Sequence, residues 1–107
     1  MCRSVGGLPI YQLTIKSANG NTMGPNKKKK KVIYITSRVH AGETYASIVM
    51  QKLISELSLT GSGNRHKYES LLNSYVIKLV PMINVDGVVI GNARTSLVGL
   101  DLNRRWT

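Results

Sequence analysis

A histidine and a glutamate stand three residues apart just ahead of an amphipathic segment of the chain. His40 and Glu43 enclose Ala41 and Gly42. Side chains with this spacing on a helical turn face the same way, with β-carbons about 5–6 Å apart. An imidazole nitrogen and a carboxylate oxygen can then bind one zinc ion, and such ligands suit a catalytic zinc better than a structural one. The pair therefore predicts part of a zinc site.

The same pair has a second interpretation that needs no metal. His40 can cap the end of a sheet, while Glu43 is stabilised by the positive end of a helix macrodipole. For a bare pattern of this length, the structural role is the commoner outcome. The position of the pair in the fold has to decide between the two interpretations.

Two apolar runs separated by an amphipathic segment predict a β-α-β unit. Val32 to Ile35 and Tyr75 to Val80 are typical of strands buried on both faces of a mainly parallel sheet. Between them, apolar residues recur at spacings of three and four, which predicts a helix over residues 43–58. A short helical turn is expected over 67–72, and Tyr11 to Ile15 alternates like a short strand. The fold class is therefore α/β.

The predicted unit places the histidine and the glutamate where α/β proteins bind ligands. Two parallel strands joined by a helical crossover form a right-handed unit, and ligands bind beyond the carboxyl ends of the strands. That rule selects residues 38–43 and residues 84–87. Asp86 is expected to shape a turn, with orientation of His40 as its alternative role. Position at a strand end favours the metal interpretation, and Gly42 permits the tight turn it needs.

The formal charge of +10 is concentrated in one place. Five lysines, Lys27 to Lys31, form a single run and supply half of it. Such a run is usually a solvated loop, and no aromatic residues interleave with it as a base-stacking surface requires. Nucleic acid is therefore disfavoured as a partner, while attraction to acidic polymers stays open.

Cysteine usage and hydropathy favour a cytoplasmic protein. One cysteine cannot form an internal disulfide, and the first residues lack the apolar block of a secretory signal. No apolar run approaches the roughly 20 residues that a membrane span needs. We therefore expect no membrane partner.

Four motifs in register resemble the zinc metallocarboxypeptidases, and within them the cytosolic carboxypeptidase branch that includes the tubulin deglutamylases. They are RVHAGET at 38–44, PMINVDGV at 81–88, GNARTSL at 91–97 and GLDLNRRW at 99–106. The resemblance covers nearly the whole chain. It implies a three-layer α/β/α fold with a mixed, largely parallel central sheet, of which residues 1–107 form the first, incomplete part of a single catalytic domain.

The resemblance also implies the roles of five residues. His40 and Glu43 match the first two zinc ligands of the family. Arg94 matches the group that polarises the scissile carbonyl, a role suited to a permanently charged guanidinium. Asn103 and Arg104 match the pair that holds the free carboxylate of the substrate, where an arginine fork binds in bidentate fashion. Without the neighbouring motifs, the last three would pass for surface loop residues.

By this resemblance the reaction is hydrolysis of C-terminal amino acids from peptide or protein tails, with polyglutamylated tubulin as the expected substrate. Such an enzyme needs three protein ligands and a general base. His66 matches no family position and is expected to be an ordinary surface histidine. In the family, the third histidine and the catalytic glutamate come later than Trp106. We therefore expect this chain to be an inactive fragment by itself, or alternatively a non-catalytic module whose basic surface binds acidic partners.

Overall fold

The computed structural model describes residues 2–17, 30–58 and 65–106. It contains five strands, three α-helices and a 3₁₀-helix within these ranges. In chain order they are β1 (Cys2–Arg3), β2 (Pro9–Ile10), β3 (Leu13–Ile15), β4 (Lys31–Thr36), α1 (Thr44–Ser58), α2 (Arg65–Ser74), β5 (Tyr75–Val80), α3 (Val85–Val89) and the 3₁₀-helix Leu102–Arg104.

A mixed three-stranded sheet forms the centre of the described fold, with β5 in the middle. β4 runs parallel to β5, with Ile33 opposite Ile77, and β3 runs antiparallel to β5 on its other side. Strands β1 and β2 form a separate antiparallel pair. Because β4 and β5 are parallel, their carboxyl ends lie at the same edge of the sheet. The loops that follow them are therefore neighbours, as the β-α-β prediction requires.

The hydrophobic core lies on one face of this sheet, under the helices. Leu79 has no exposed surface, and Ile77 and Met50 are buried beside it. The partly buried side chains that complete the core come from β3, β4, α1 and α2: Ile15, Ile33, Ile35, Leu53, Ile54, Leu57, Leu71 and Leu72. The apolar stripe of α1 thus covers the alternate, inward-facing residues of the strands.

The prediction that Val32 to Ile35 is buried on both faces is wrong. Val32 and Tyr34 are each 57% exposed, while Ile33 and Ile35 pack against the core. The described residues cover the face that carries Val32 and Tyr34 only in part, where Cys2, Ile10 and Tyr11 line a cavity beside Tyr34. An apolar run does not reveal whether both faces of its strand have a covering layer.

Most element boundaries agree with the sequence, and the exceptions are short helices. β5 matches the predicted range, and α1 begins one residue later than predicted. The turn expected over 67–72 is part of the longer helix α2. The turn expected over 84–87 is the start of α3, where the side-chain oxygen of Asn84 accepts a hydrogen bond from Gly87 N. Because asparagine is favoured both in turns and as the N-cap of a helix, residues typical of a turn begin a helix here.

No helix within the described ranges combines the length and the apolar composition that crossing a bilayer requires.

Truncation of the central core residue should destabilise the fold far more than truncation on the open face of the sheet. We expect Leu79→Ala to lower the free energy of unfolding by about 2–5 kcal/mol, because it leaves a cavity in a fully buried position. Val32→Ala is the matched control and should change it by about 0.5 kcal/mol or less. Urea unfolding followed by circular dichroism measures both. Equal losses would mean that the face of Val32 is buried in solution.

Candidate active site

The histidine and the glutamate of the predicted metal pair lie against each other in the loop that follows β4. His40 is 6% exposed, and its Nδ1 atom lies 2.8 Å from Oε1 of the exposed Glu43. The backbone N–H of Glu43 donates to the carbonyl oxygen of His40 across the turn. Helix α1 begins directly afterwards at Thr44. The sequence spacing therefore does bring a ring nitrogen and a carboxylate oxygen together.

Arg38 fixes the shape of this loop. It has a φ of 54°, in the left-handed region that residues other than glycine seldom adopt. Its buried guanidinium donates from Nε and Nη2 to the carbonyl oxygen of Ala41, and from Nη1 to the hydroxyl of Ser47 in α1. The carbonyl between His40 and Glu43 is thus held in place. Sequence reasoning assigned Arg38 no role, since nothing in the sequence distinguishes it from a surface arginine.

A close backbone approach joins the loop of residues 38–43 to the segment that carries Arg94. The N–H of Gly42 donates to the carbonyl oxygen of Ala93 at 2.6 Å. A β-carbon at Gly42 would lie 2.6 Å from that oxygen and 3.1 Å from the Cα atom of Ala93. Only glycine allows the two backbones to lie this close, because β-carbons essentially never lie within 3.0 Å of another heavy atom outside their own chain neighbours. The predicted role of Gly42 in a tight turn is thus extended to a contact between loops.

The side chain of Asn84 also joins these two segments by hydrogen bonds. Its side chain is buried, and the residue is 2% exposed. The Nδ2 atom donates to the carbonyl oxygens of Thr95 at 3.0 Å and Val39 at 3.3 Å, while Oδ1 accepts from Gly87 N at 3.0 Å. One amide therefore binds three separate parts of the site. Nearly all of its hydrogen-bonding capacity is used inside the protein.

Asp101 is the carboxylate that joins the predicted site residues. Its Oδ1 atom lies 3.1 Å from Nε2 of His40 and accepts from the N–H of Asn103 at 2.9 Å. Its Oδ2 atom accepts from Nε of Arg94 at 2.8 Å and forms an ion pair with Nη2 of the same guanidinium at 2.8 Å. Partial burial acts to raise the pKa of Asp101, but the bonds from Arg94, Asn103 and His40 outweigh it and hold the pKa below the usual 3.8. Asp101 is therefore ionised at neutral pH.

Sequence reasoning missed Asp101 and considered the wrong carboxylate for contact with His40. Asp86 is buried, and it accepts from the Ser4 hydroxyl at 2.6 Å and from Gly6 N at 3.0 Å. It joins the β1–β2 pair to α3 and makes no hydrogen bond to His40. Two observations could have pointed to Asp101. A ligand histidine generally needs a carboxylate or carbonyl partner, and Asp101 is a carboxylate two residues before the predicted site residue Asn103.

The three residues predicted to contact substrate lie at one end of the site. Arg94 is half exposed and is oriented by Asp101. Asn103 and Arg104 are exposed on the 3₁₀-helix, and Nη1 of Arg104 donates to the carbonyl oxygen of Asn103. Asp101 thus brings His40, Arg94 and Asn103 together. Arg104 is connected to them only through Asn103.

The donor chemistry at His40 and Glu43 fits zinc, although two ligands do not complete a site. The Nδ1 atom of His40 faces the carboxylate of Glu43, and its Nε2 atom faces Asp101. Within the described ranges, no group of three histidine, cysteine, aspartate or glutamate side chains converges as a metal site. His66 belongs to α2, but its side chain falls outside what the structure describes, so its exclusion as a ligand stays a prediction.

The lysine run is only partly within the described residues. Lys27 to Lys29 lie outside them. Nζ of Lys30 donates to the carbonyl oxygen of Leu72 at the end of α2. That lysine is therefore tied to the fold, and the expectation of a fully solvated run does not hold for it.

Comparison with known proteins places this fold and these loops in one family. The family model with that description matches residues 1–107. The chain therefore belongs to the zinc carboxypeptidase family, as the resemblance predicted.

Curated relatives with high similarity are named cytosolic carboxypeptidases. The chain is 44% identical over 107 residues to cytosolic carboxypeptidase 2 of Xenopus tropicalis, covering 99% of this chain and 10% of that protein. It is 43% identical over 105 residues to cytosolic carboxypeptidase 6 of Homo sapiens, covering 97% of this chain and 19% of that protein. The chain thus spans less than a fifth of the length of these relatives.

Solved metallocarboxypeptidases share the fold. The enzyme from Burkholderia cenocepacia superposes with a TM-score of 0.81 at 32% identity, over 98% of this chain and 26% of that one. The enzyme from Pseudomonas aeruginosa, in complex with (2-guanidinoethylmercapto)succinic acid, gives 0.76 at 31% identity, over 97% of this chain and 25% of that one. The predicted metallocarboxypeptidase fold with a mixed sheet is therefore confirmed.

Substitution of Asn84 should separate a packing role from the inter-loop role of its amide. We expect Asn84→Ala to lower the free energy of unfolding by about 1–3 kcal/mol, because it leaves buried partners unsatisfied. The isosteric Asn84→Asp should cost more, since it places a carboxylate against carbonyl oxygens. Asn73→Ala on the exposed surface of α2 is the control and should be near neutral. If Asn84→Asp proved as stable as the wild type, the hydrogen bonds to Val39 and Thr95 would be absent in solution.

Proposed function

We propose that residues 1–107 form the first part of the catalytic domain of a cytoplasmic zinc carboxypeptidase, which removes C-terminal amino acids from peptide or protein tails. The observation that carries the proposal is the position of Asp101. One carboxylate binds His40, Arg94 and Asn103, which the family resemblance assigns to the metal, the scissile carbonyl and the substrate carboxylate.

In this proposal His40 and Glu43 hold the zinc ion from one side. Asp101 accepts the Nε2 proton of His40 and so fixes the tautomer in which Nδ1 is the ligand. When bound, zinc supplies Lewis acidity, which polarises a carbonyl and activates water. A third ligand and a general base are needed besides these residues. We therefore propose that residues 1–107 by themselves bind substrate groups without hydrolysing them.

Arg94 and the pair Asn103 and Arg104 position the substrate. The guanidinium of Arg94 is half exposed and is held by a hydrogen bond and an ion-pair contact to Asp101, which leaves its remaining N–H groups free to stabilise an oxyanion. Asn103 and Arg104 lie within hydrogen-bonding reach of each other at the exposed end of the site. Together they present donors suited to a terminal carboxylate.

Acidic tails, such as the polyglutamylated tails of tubulin, are the substrates that the charge of the chain favours. The formal net charge is +10, and Arg94, Arg104 and Arg105 are exposed on the segments that carry the proposed carboxylate site. Electrostatic attraction would raise the local concentration of such tails and weaken with salt. The relatives named cytosolic support the cytoplasm as the place where the enzyme acts.

Zinc binding by the chain should depend on His40. We expect one zinc ion per chain in calorimetric titration, lost in His40→Ala and in Glu43→Ala because each removes a ligand. Asp101→Asn should weaken binding by about 10–100-fold, the usual effect of removing the partner of a ligand histidine. His66→Ala is the matched control. Loss of binding in His66→Ala with retention in His40→Ala would contradict the assignment.

Hydrolysis by the complete gene product should depend on Arg94 and on zinc. We expect release of glutamate from a peptide with a polyglutamate tail and a free C-terminus, abolished by a chelator and restored by zinc. Arg94→Ala should lower kcat by about 10²–10³-fold, as loss of one oxyanion donor does. Arg3→Ala, at the end of β1, is the control with unchanged kcat.

The alternative function predicts a different result in the same assay. A non-catalytic module would bind the acidic tail in a salt-dependent manner and release no glutamate, with or without zinc. It is favoured by the presence of two zinc ligands rather than three among the described residues. Chelator-insensitive turnover would contradict both functions.

A further inference from the structure

An exposed tryptophan lies beside the proposed carboxylate site and makes one specific hydrogen bond. Trp106 is 66% exposed, and its indole Nε1–H donates to Oδ1 of Asn103 at 2.8 Å. The ring is therefore held by its polar atom and not by burial. An indole N–H is a donor only, so the atom it contacts must be an acceptor.

This bond determines which end of the Asn103 side chain faces outward. An asparagine amide presents an oxygen acceptor on one side and an NH₂ donor on the other, and the two differ little in shape. Because the indole of Trp106 requires the oxygen, the Nδ2 group must point away from it. Among the described residues, Nδ2 has no hydrogen-bond partner. A free pair of N–H donors therefore remains at the surface.

The backbone of Asn103 is fixed as well. Its N–H donates to Oδ1 of Asp101 at 2.9 Å, and its carbonyl oxygen accepts from Nη1 of Arg104 at 3.3 Å. Each acceptor of the residue is thus occupied, and the only unused group is the donor Nδ2. The residue presents no oxygen toward a ligand.

We propose that Trp106 is a positioning residue that makes Asn103 a donor toward the terminal carboxylate of the substrate. The proposal rests on the function proposed above, in which Asn103 and Arg104 hold that carboxylate. A rotated amide would direct Oδ1 at the carboxylate, and two acceptors would then repel each other. Trp106 thus supports selection for a free carboxylate over a C-terminal amide, which carries no charge.

The test uses the 107-residue chain and needs no catalysis. The ¹⁵N-labelled protein is titrated with N-acetyl-Glu-Glu carrying a free C-terminus, and with the same dipeptide carrying a C-terminal amide. In the wild type, the Asn103 NH₂ signals should shift with the first ligand, which should bind more tightly than the second. The ratio of the two dissociation constants measures recognition of the carboxylate.

Trp106→Phe keeps the aromatic ring and removes only the N–H group. We expect it to weaken binding of the free-carboxylate ligand by between about twofold and tenfold, the fold-change of one neutral hydrogen bond. Binding of the amidated ligand should change less, so the ratio should fall. Asn103→Asp should lower the ratio further, because it places an oxygen where the donor was. Tyr34→Phe, an exposed aromatic on the open face of the sheet, is the matched control.

Two outcomes would overturn the proposal, and they are distinguishable. If the wild type discriminates between the ligands and Trp106→Phe discriminates equally well, the positioning role of Trp106 fails while the carboxylate site stands. If the wild type does not discriminate at all, the assignment of Asn103 and Arg104 fails, and the role of Trp106 fails with it.

Discussion

The parallel pairing of β4 with β5 is the constraint on which the candidate site depends. It places the carboxyl ends of both strands at one edge of the sheet, so that the loop of residues 38–43 lies against residues 83–84. Backbone bonds continue the pairing past the strands, from Ser37 N to Val80 O and from Asn84 N to Arg38 O. The site is therefore an extension of the sheet and inherits its rigidity.

Polar contacts, rather than apolar packing, hold the loops of the site together. The hydrophobic core ends at the strands, with Leu79 at its centre. Beyond it, the amide of Asn84, the guanidinium of Arg38 and the carboxylate of Asp101 each connect two or more segments. A buried polar network of this kind specifies one arrangement because any misplacement leaves a donor or acceptor unsatisfied. That requirement suits a site in which ligands must stay within fractions of an ångström.

Local patterns predicted the elements of this fold well, and contacts between distant segments explain what they missed. Pro81 ends the apolar run of β5, and the three- and four-residue spacing defines α1 within one residue. The exposed face of β4 could not be predicted, since composition does not show whether another layer covers each face of a strand. For the site, the spacing of His40 and Glu43 predicted their contact. Which aspartate contacts His40 could not be predicted, because Asp101 reaches it through the path of residues 91–101. The hydrogen bond from Gly42 N to Ala93 O fixes that path.

The charges around the site explain why a carboxylate substrate suits it. Glu43 and Asp101 supply two negative charges, and the guanidiniums of Arg38, Arg94 and Arg104 supply three positive ones. Asp101 is committed to His40 and Arg94, so it does not neutralise an incoming group. A zinc dication at His40 and Glu43 would raise the local charge further. An anionic tail end then lowers the electrostatic energy of the site, and so does negative charge that develops on a carbonyl oxygen near Arg94. In the proposed function, the same excess of positive charge serves both binding and the reaction.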